Sequence, residues 1–188
     1  MSAASEPYGG TLVDLVVEGD ERQELAREAA SLPFVILDSR TRSDLELLAV
    51  GGLSPLTGFM READYRAVVD DMHLPSRLPW SIPVTLSVDA SRLGELRPGL
   101  RAALRDEDGM ILGVIDIDDA YVRDKEHEAR EVYRTTEEAH PGVAALYASG
   151  DLVLGGPVRV LQVPAHDDFH QYRLTPAQTR AVFTANGW

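Results

Sequence analysis

The sequence predicts an α+β domain built on a small, mostly antiparallel β-barrel with peripheral helices. Several short strand patterns alternate with scattered helix patterns, and they do not form the regular strand–helix–strand repeat of a nucleotide-binding sheet. The 188 residues, 44% of them hydrophobic and 26% charged, suit one domain with its own core. The absence of cysteine excludes disulfides, thiolate metal sites and a cysteine nucleophile.

Charge and hydropathy argue against two classes of partner. The formal net charge is −13, from 31 acidic and 18 basic residues, so RNA, DNA and anionic lipid are repelled at long range. No apolar stretch approaches the roughly 20 residues needed to cross a bilayer, and the first residues lack the basic start and apolar run of a secretory signal. We therefore expect a cytoplasmic protein that binds neither nucleic acid nor membrane.

Two helices and one strand are predicted in the first quarter of the chain. The first helix begins at a capping box that runs from Asp20 to Gln23. Residues 34–37, Phe-Val-Ile-Leu, have the composition of a short buried strand. Thr41 and Asp44 are expected to cap a second helix, which ends at Gly51.

A turn-rich segment follows the second helix and keeps three large apolar side chains, Leu53, Leu56 and Phe59. A polar surface loop has no need of these side chains, so we expect the segment to pack against another surface. Within it, Ser54 is expected to be a helix N-cap, because Pro55 suits the first position of a helix.

The middle of the chain predicts one helix and then β structure. A helix is expected over residues 62–72, from its apolar stripe. Apolar and polar residues alternate over 80–88, which predicts a half-buried strand. Because Pro83 has no backbone N–H, that strand lies at an edge or begins near this residue. Residues 100–104 and 110–114 are expected to pair as a hairpin across an Asp-Glu-Asp-Gly turn.

The last third of the chain predicts two helices, one or two helical turns over 143–147, and two strands. Asp124 caps a charged helix that ends near Tyr133. Strands are expected over 152–154 and 158–163, separated by a Gly-Gly-Pro break. The final helix begins at a capping box with Thr175 as its N-cap.

Spacing alone does not assemble a catalytic site. The run His166-Asp-Asp-Phe-His170 holds four potential metal ligands, but Pro164 precedes it and no further ligand pair is apparent, so a surface loop is favoured over a metal site. Asp116-Ile-Asp-Asp119 has carboxylates that a divalent cation or an acid–base pair requires, yet the pattern is more typical of a solvated strand face. The glycine pairs fit neither a P-loop nor a dinucleotide fingerprint.

Several segments follow one another in an order that is specific to one family. Gly51–Met60, Trp80–Leu86 and Thr135–Val143 are the longest of them. The others are Asp44–Leu48, Leu104–Asp106, Asp124-Lys125, Gly155-Gly156, His166 with Asp168-Phe169, Arg173–Ala177 and Gly187-Trp188. This set resembles the ATP sulfurylases (sulfate adenylyltransferases), whose three longest matching segments are G-G-F-S-P-L-x-G-F, W-P-I-P-I-T-L and G-T-T-x-x-x-H-P-G-V. Two departures are Leu53 in place of Phe, and Arg61 where the family often has an Asn suited to capping the next helix.

The resemblance implies a PUA-like β-barrel domain at the N-terminus of an enzyme that converts ATP and sulfate to adenosine 5′-phosphosulfate and pyrophosphate. The family binds these substrates, with Mg²⁺, through Q-x-R-N-P and H-x-G-H motifs, and neither motif occurs in this chain. The resemblance therefore implies no catalytic, cofactor or metal site here, no activity from the chain alone, and a catalytic domain beyond Trp188. A fused adenylylsulfate kinase stays open, and a homo-oligomer is expected at full length.

The resemblance also suggests how the chain divides. We expect a helical lead-in over residues 1–33, the PUA-like barrel over 34–174, and a helix over 175–188 that leads to the catalytic domain. The interface with that domain is expected at Leu53, Ser54, Pro55, Leu56, Gly58 and Phe59. One rival is a stand-alone PUA-like RNA-binding module, which the acidic charge disfavours because phosphate contacts need clustered Arg or Lys. The other rival is a complete small enzyme.

Overall fold

The structure, a computed structural model, describes residues 6–164, 166 and 168–188. Its helices are α1 (Gly19–Ala29), α2 (Ser39–Ala49), α3 (Glu62–Asp71), α4 (Lys125–Glu128), α5 (Pro141–Ala148) and α6 (Pro176–Asn186). Its strands are β1 (Phe34–Ile36), β2 (Gly58–Phe59), β3 (Leu86–Val88), β4 (Arg101–Arg105), β5 (Ile111–Asp116), β6 (Asp119–Val122) and β7 (Leu152–Val160). Helices and mostly antiparallel strand pairs occur together, which confirms the predicted α+β class.

The chain folds as two compact units, each assembled from separate stretches of sequence. The first comprises Met1–Gly58, Ala103–Ile115 and Val158–Trp188, and the second comprises Phe59–Ala102 and Asp116–Pro157. The domain boundaries expected from the resemblance stay predictions. None of the helices in the described residues is long and apolar enough to span a bilayer.

In the first unit, α1 covers part of a small sheet. β1 pairs in parallel with β4, from Phe34 opposite Ala103 to Ile36 opposite Arg105. β5 pairs antiparallel with the end of β7, where Gly113 lies opposite Val160. The core cluster under α1 consists of Val17, Leu25, Ala29, Ala103, Val114 and Leu161. Alanine at two of these positions allows helix and sheet backbones to approach closely.

In the second unit, the first half of β7 is the central strand. Its residue Leu154 lies opposite Leu86 of β3 and opposite Ala120 of β6, and both pairings are antiparallel. Helix α3 buries Tyr65 and Val69 along one stripe, as its predicted periodicity requires. After α4, a π-helical turn over Ala129–Tyr133 and then α5 form a separate apolar cluster.

The predicted break between two C-terminal strands is wrong, because β7 runs without interruption through the two glycines. A Cβ atom on Gly155 would lie 2.6 Å from the Cα of Arg61, and one on Gly156 would lie 2.0 Å from the carbonyl oxygen of Asp116. Side chains are therefore excluded at both positions by close backbone approach. Glycine serves packing here and does not end the strand.

Several predicted helix starts are displaced. α1 begins at Gly19, and its N-cap Glu18 makes no side-chain capping bond, so the capping box at Asp20 is wrong. The carboxylate of Asp38 caps α2 by accepting a hydrogen bond from the Thr41 backbone N–H at 2.7 Å. Thr41 therefore supplies a donor of the first turn instead of the cap.

Among the other local predictions, two strand predictions are only partly right and two helix caps are confirmed. Only residues 86–88 of the expected strand over 80–88 are a strand, because the Trp80 backbone N–H donates to Met72 O and the indole N–H to Ile82 O. In β1 only the middle residue is buried, so the strand is half-buried and not fully buried. The caps at Asp124 and Thr175 are confirmed, the second as a complete capping box.

Candidate functional site

The turn segment predicted as an interface is fastened to the N-terminal part of its own unit. The Ser54 hydroxyl is buried, donates to Gly51 O at 2.8 Å and accepts from the Val13 backbone N–H at 3.0 Å. No described helix starts at Pro55, so Ser54 is not an N-cap. Gly51 has φ +79°, and a Cβ there would lie 2.3 Å from Val13 O, so the approach needs glycine.

The predicted interface residues differ in the surface they leave free. Phe59 is only 2% exposed and Gly58 is buried, so their surface is already taken up within the chain. Leu53, Pro55 and Leu56 are half-buried and keep some surface. The prediction that Phe59 presses against another domain therefore needs correction, because its ring belongs to the core. For the three half-buried side chains, the interface stays a prediction.

A larger exposed feature, which the sequence reasoning missed, lies between α2 and α6. This α2–α6 groove has a volume of about 830 Å³. Leu47 of α2 and Val50, directly after α2, line one side of it. Leu174, just before α6, and Thr179 and Phe183 of α6 line the other side. Its size and mostly apolar lining are typical of a surface that binds an apolar group. The available signal was the helical spacing of Thr179 and Phe183, which predicts one face of α6.

The potential metal ligands near residue 166, where a surface loop was favoured over a metal site, have other partners where they are described. His166 Nε2 lies 2.7 Å from Glu46 Oε1, which ties the segment after β7 to α2 at the edge of the groove. Asp168 accepts a hydrogen bond from Arg173 at 2.9 Å. Asp167 and the side chain of His170 lie outside the described part of the chain. Among the described residues, no group of three His, Asp or Glu side chains is arranged to hold a metal ion.

The acidic run in the second unit is occupied by arginines. Asp116 accepts a hydrogen bond from Arg101 Nε at 2.6 Å, and Asp118 accepts one from Arg61 Nε at 3.0 Å. The Ile117 side chain between them is buried, as the alternating pattern predicts. Both carboxylates therefore have structural partners, and they do not form the open pair that a cation or a general acid–base mechanism requires.

A buried polar cluster in the second unit is a second feature that the sequence reasoning missed. The Tyr65 hydroxyl donates to Glu128 Oε2 at 2.8 Å, and Arg123 NH1 lies 3.8 Å from the same carboxylate oxygen. The Tyr121 hydroxyl donates to Met60 O at 3.0 Å. The hydrogen-bond partners are up to 63 residues apart in sequence, so no local sequence pattern predicts these contacts.

Burial decides the chemistry of this cluster. Desolvation by burial is the main cause that raises the pKa of Tyr65, and the Glu128 charge and hydrogen bond raise it further. Burial likewise raises the pKa of Tyr121. Both phenols stay protonated at neutral pH and act as hydrogen-bond donors, not as bases or nucleophiles. The adjoining cavity of about 130 Å³ is too small for a nucleotide, so the cluster supports the fold.

The comparisons with known proteins point in one direction. The family model described as "PUA-like domain" matches residues 5–163. A sulfate adenylyltransferase of Synechococcus sp. (strain JA-3-3Ab) is 45% identical over 185 residues, which cover 98% of this chain and 47% of that protein. A probable bifunctional SAT/APS kinase 2 of Sorangium cellulosum (strain So ce56) is 50% identical over 182 residues, 97% of this chain and 31% of that protein.

A solved structure agrees with these relatives. The hexameric APS kinase from Thiobacillus denitrificans matches with a TM-score of 0.74 and 36% identity, over 97% of this chain and 32% of that one. The chain thus spans about half the length of the sulfate adenylyltransferase relatives, and about a third of the two kinase-named proteins. Because the family model covers most of the sequence, the chain belongs to the PUA-like domain family.

Proposed function

We propose that this chain is the N-terminal, non-catalytic PUA-like domain of a sulfate adenylyltransferase. The observation that carries the proposal is a match over nearly the whole chain to sulfate adenylyltransferases that are about twice as long. A fold by itself does not specify a reaction. The half-length match, together with the colinear motifs of the sequence, is what links this fold to that enzyme.

In this proposal, the rest of the enzyme carries the chemistry. The complete protein converts ATP and sulfate to adenosine 5′-phosphosulfate and pyrophosphate, and ATP, sulfate and Mg²⁺ bind outside this chain. The pairing of Asp116 and Asp118 with arginines supports this division, because carboxylates engaged in this way do not fit a Mg²⁺ site. The domain contributes a folded platform, with Leu53, Pro55 and Leu56 as part of its contact with the catalytic domain.

Two of the similar proteins bear on assembly. One is described as a bifunctional SAT/APS kinase and another as a hexameric APS kinase. On these names we propose that the full-length protein is a homo-oligomer and that an adenylylsulfate kinase can be fused to the same polypeptide. The absence of cysteine is in keeping with a cytoplasmic enzyme.

Sulfate-dependent exchange of pyrophosphate into ATP tests the proposal. The assay compares this chain alone with a joined protein, in which this chain is followed by the half of the Synechococcus sp. (strain JA-3-3Ab) relative that it does not match. We expect background exchange from the chain alone and sulfate-dependent exchange from the joined protein, above that of the relative's half by itself. Sulfate-dependent exchange by the chain alone, or a folded joined protein without exchange, would contradict the proposal.

A further inference from the structure

Helix α6 has no apolar core to rest on within the described residues. It has 11 residues, and none of them is buried. Helices shorter than about 12–15 residues are marginal in water, and in folded proteins the packing of one apolar face supplies most of their stability. The capping box at Thr175 and the left-handed Gly187 fix the ends of α6 but bury no side chain. The helix therefore lacks the contact that normally stabilises one of its length.

The C-terminal twenty residues have the composition of a protein interface. Residues 169–188 contain no Asp or Glu, although the chain as a whole has 31. The same segment holds four aromatic residues and two arginines, and Phe169, Tyr172, Phe183 and Trp188 are all exposed. Aromatic residues and arginine are enriched in interfaces, while acidic residues are depleted. In a protein with this acidic charge, a surface that stays in contact with water is expected to carry Asp and Glu.

The α2–α6 groove gives this surface a place for apolar side chains to enter. Leu47 lines it from α2 and Phe183 lines it from α6, and they are 45% and 42% exposed. Both side chains are exposed, so an apolar group that binds between them removes apolar surface from water on both sides. His166 and Glu46 hold the segment after β7 against α2 at the edge of the groove.

We propose that the α2–α6 groove and the exposed face of α6 are the docking surface for the catalytic half of the same polypeptide, which inserts apolar side chains between Leu47 and Phe183. The inference rests on the proposed function. The sulfate adenylyltransferase relatives contain about as much polypeptide again beyond their match to this chain. Within one polypeptide, that half is present at the high effective concentration of a tethered partner. A second copy of this chain is the poorer occupant, because each copy brings a net charge of −13.

Amide hydrogen exchange in α6 tests this docking. The rates for residues 179–187 are compared between this chain alone and the joined protein defined above. We expect exchange at least tenfold slower in the joined protein, because docking must open before these amides exchange. Leu47→Asp and Phe183→Asp should each return the rates toward those of the chain alone. Leu47→Asp is the sharper of the two, because it leaves the sequence of α6 unchanged.

Leu93→Asp is the matched control, because Leu93 is 47% exposed and does not line the groove. It should leave the slow exchange unchanged. Equal rates in the chain and the joined protein, or equal effects of Leu47→Asp and Leu93→Asp, would overturn the docking proposal. Slow exchange in the chain alone that depends on protein concentration, with a dimer in sedimentation, would assign the groove to a second copy instead. Pyrophosphate exchange on the same joined protein separates the two proposals. If that protein is active but α6 is not protected, the docking proposal fails and the proposed function stands.

Discussion

The role of Phe59 can be decided by one substitution in the chain alone. The ring is 2% exposed, so Phe59→Ala removes a fully buried side chain and leaves a cavity. Such substitutions cost about 3–5 kcal/mol of unfolding free energy. A domain of this size loses about 2–4 °C of melting temperature per kcal/mol, so we expect a fall of about 12 °C. Urea and thermal denaturation, followed by circular dichroism, measure both quantities.

Phe183→Ala is the control for residue type. Phe183 is 42% exposed, so the same change should cost less than about 1 kcal/mol in the chain alone. The loss from Phe59→Ala should also be the same in the joined protein, because the ring makes its contacts inside this chain. If Phe59→Ala proved as mild as Phe183→Ala in the chain alone and destabilising only in the joined protein, Phe59 would be an interface residue after all.

Two further predictions concern the second unit. Gly155→Ala should destabilise the chain by about 1–3 kcal/mol in urea titration, because its Cβ would lie 2.6 Å from the Arg61 Cα, whereas Gly94→Ala, in open space, should not destabilise it. The raised pKa values of Tyr65 and Tyr121 predict a pH dependence. Above the ordinary tyrosine pKa of 10.0, the unfolded chain loses these two protons and the folded protein keeps them. The free energy of unfolding should therefore fall as the pH rises past 10.0, and these two tyrosines should not change it at lower pH. Urea titrations at rising pH check this, with the phenolate absorbance of the chain compared with that of a Tyr65→Phe, Tyr121→Phe variant, because four other tyrosines also absorb. Phenolate that comes from Tyr65 or Tyr121 before unfolding would contradict it.

Local signals in the sequence predicted some local features and misplaced others, such as the starts of α1 and α2. The capping box at Thr175 needs only neighbours three residues apart, and the helix face of α3 needs only its own periodicity. The alternation over 80–88 failed because the Trp80 backbone bonds back to Met72, a contact that periodicity does not encode. The continuity of β7 and the partner of Glu128 depend on residues far away in sequence. The α2–α6 groove was missed for the same reason, since its walls come from distant segments.

The departure at Arg61 shows how the acidic run in this chain is used. The family often has an Asn there that is suited to capping α3, and Arg61 makes no side-chain capping bond. Asp119 takes over that role, because its Oδ2 accepts a hydrogen bond from the Glu62 backbone N–H at 2.9 Å, at the positive end of the helix. Arg61 in turn binds Asp118. Asp118 and Asp119, two of the three carboxylates that look most like a catalytic cluster in the sequence, therefore hold the start of α3, while the third, Asp116, binds Arg101.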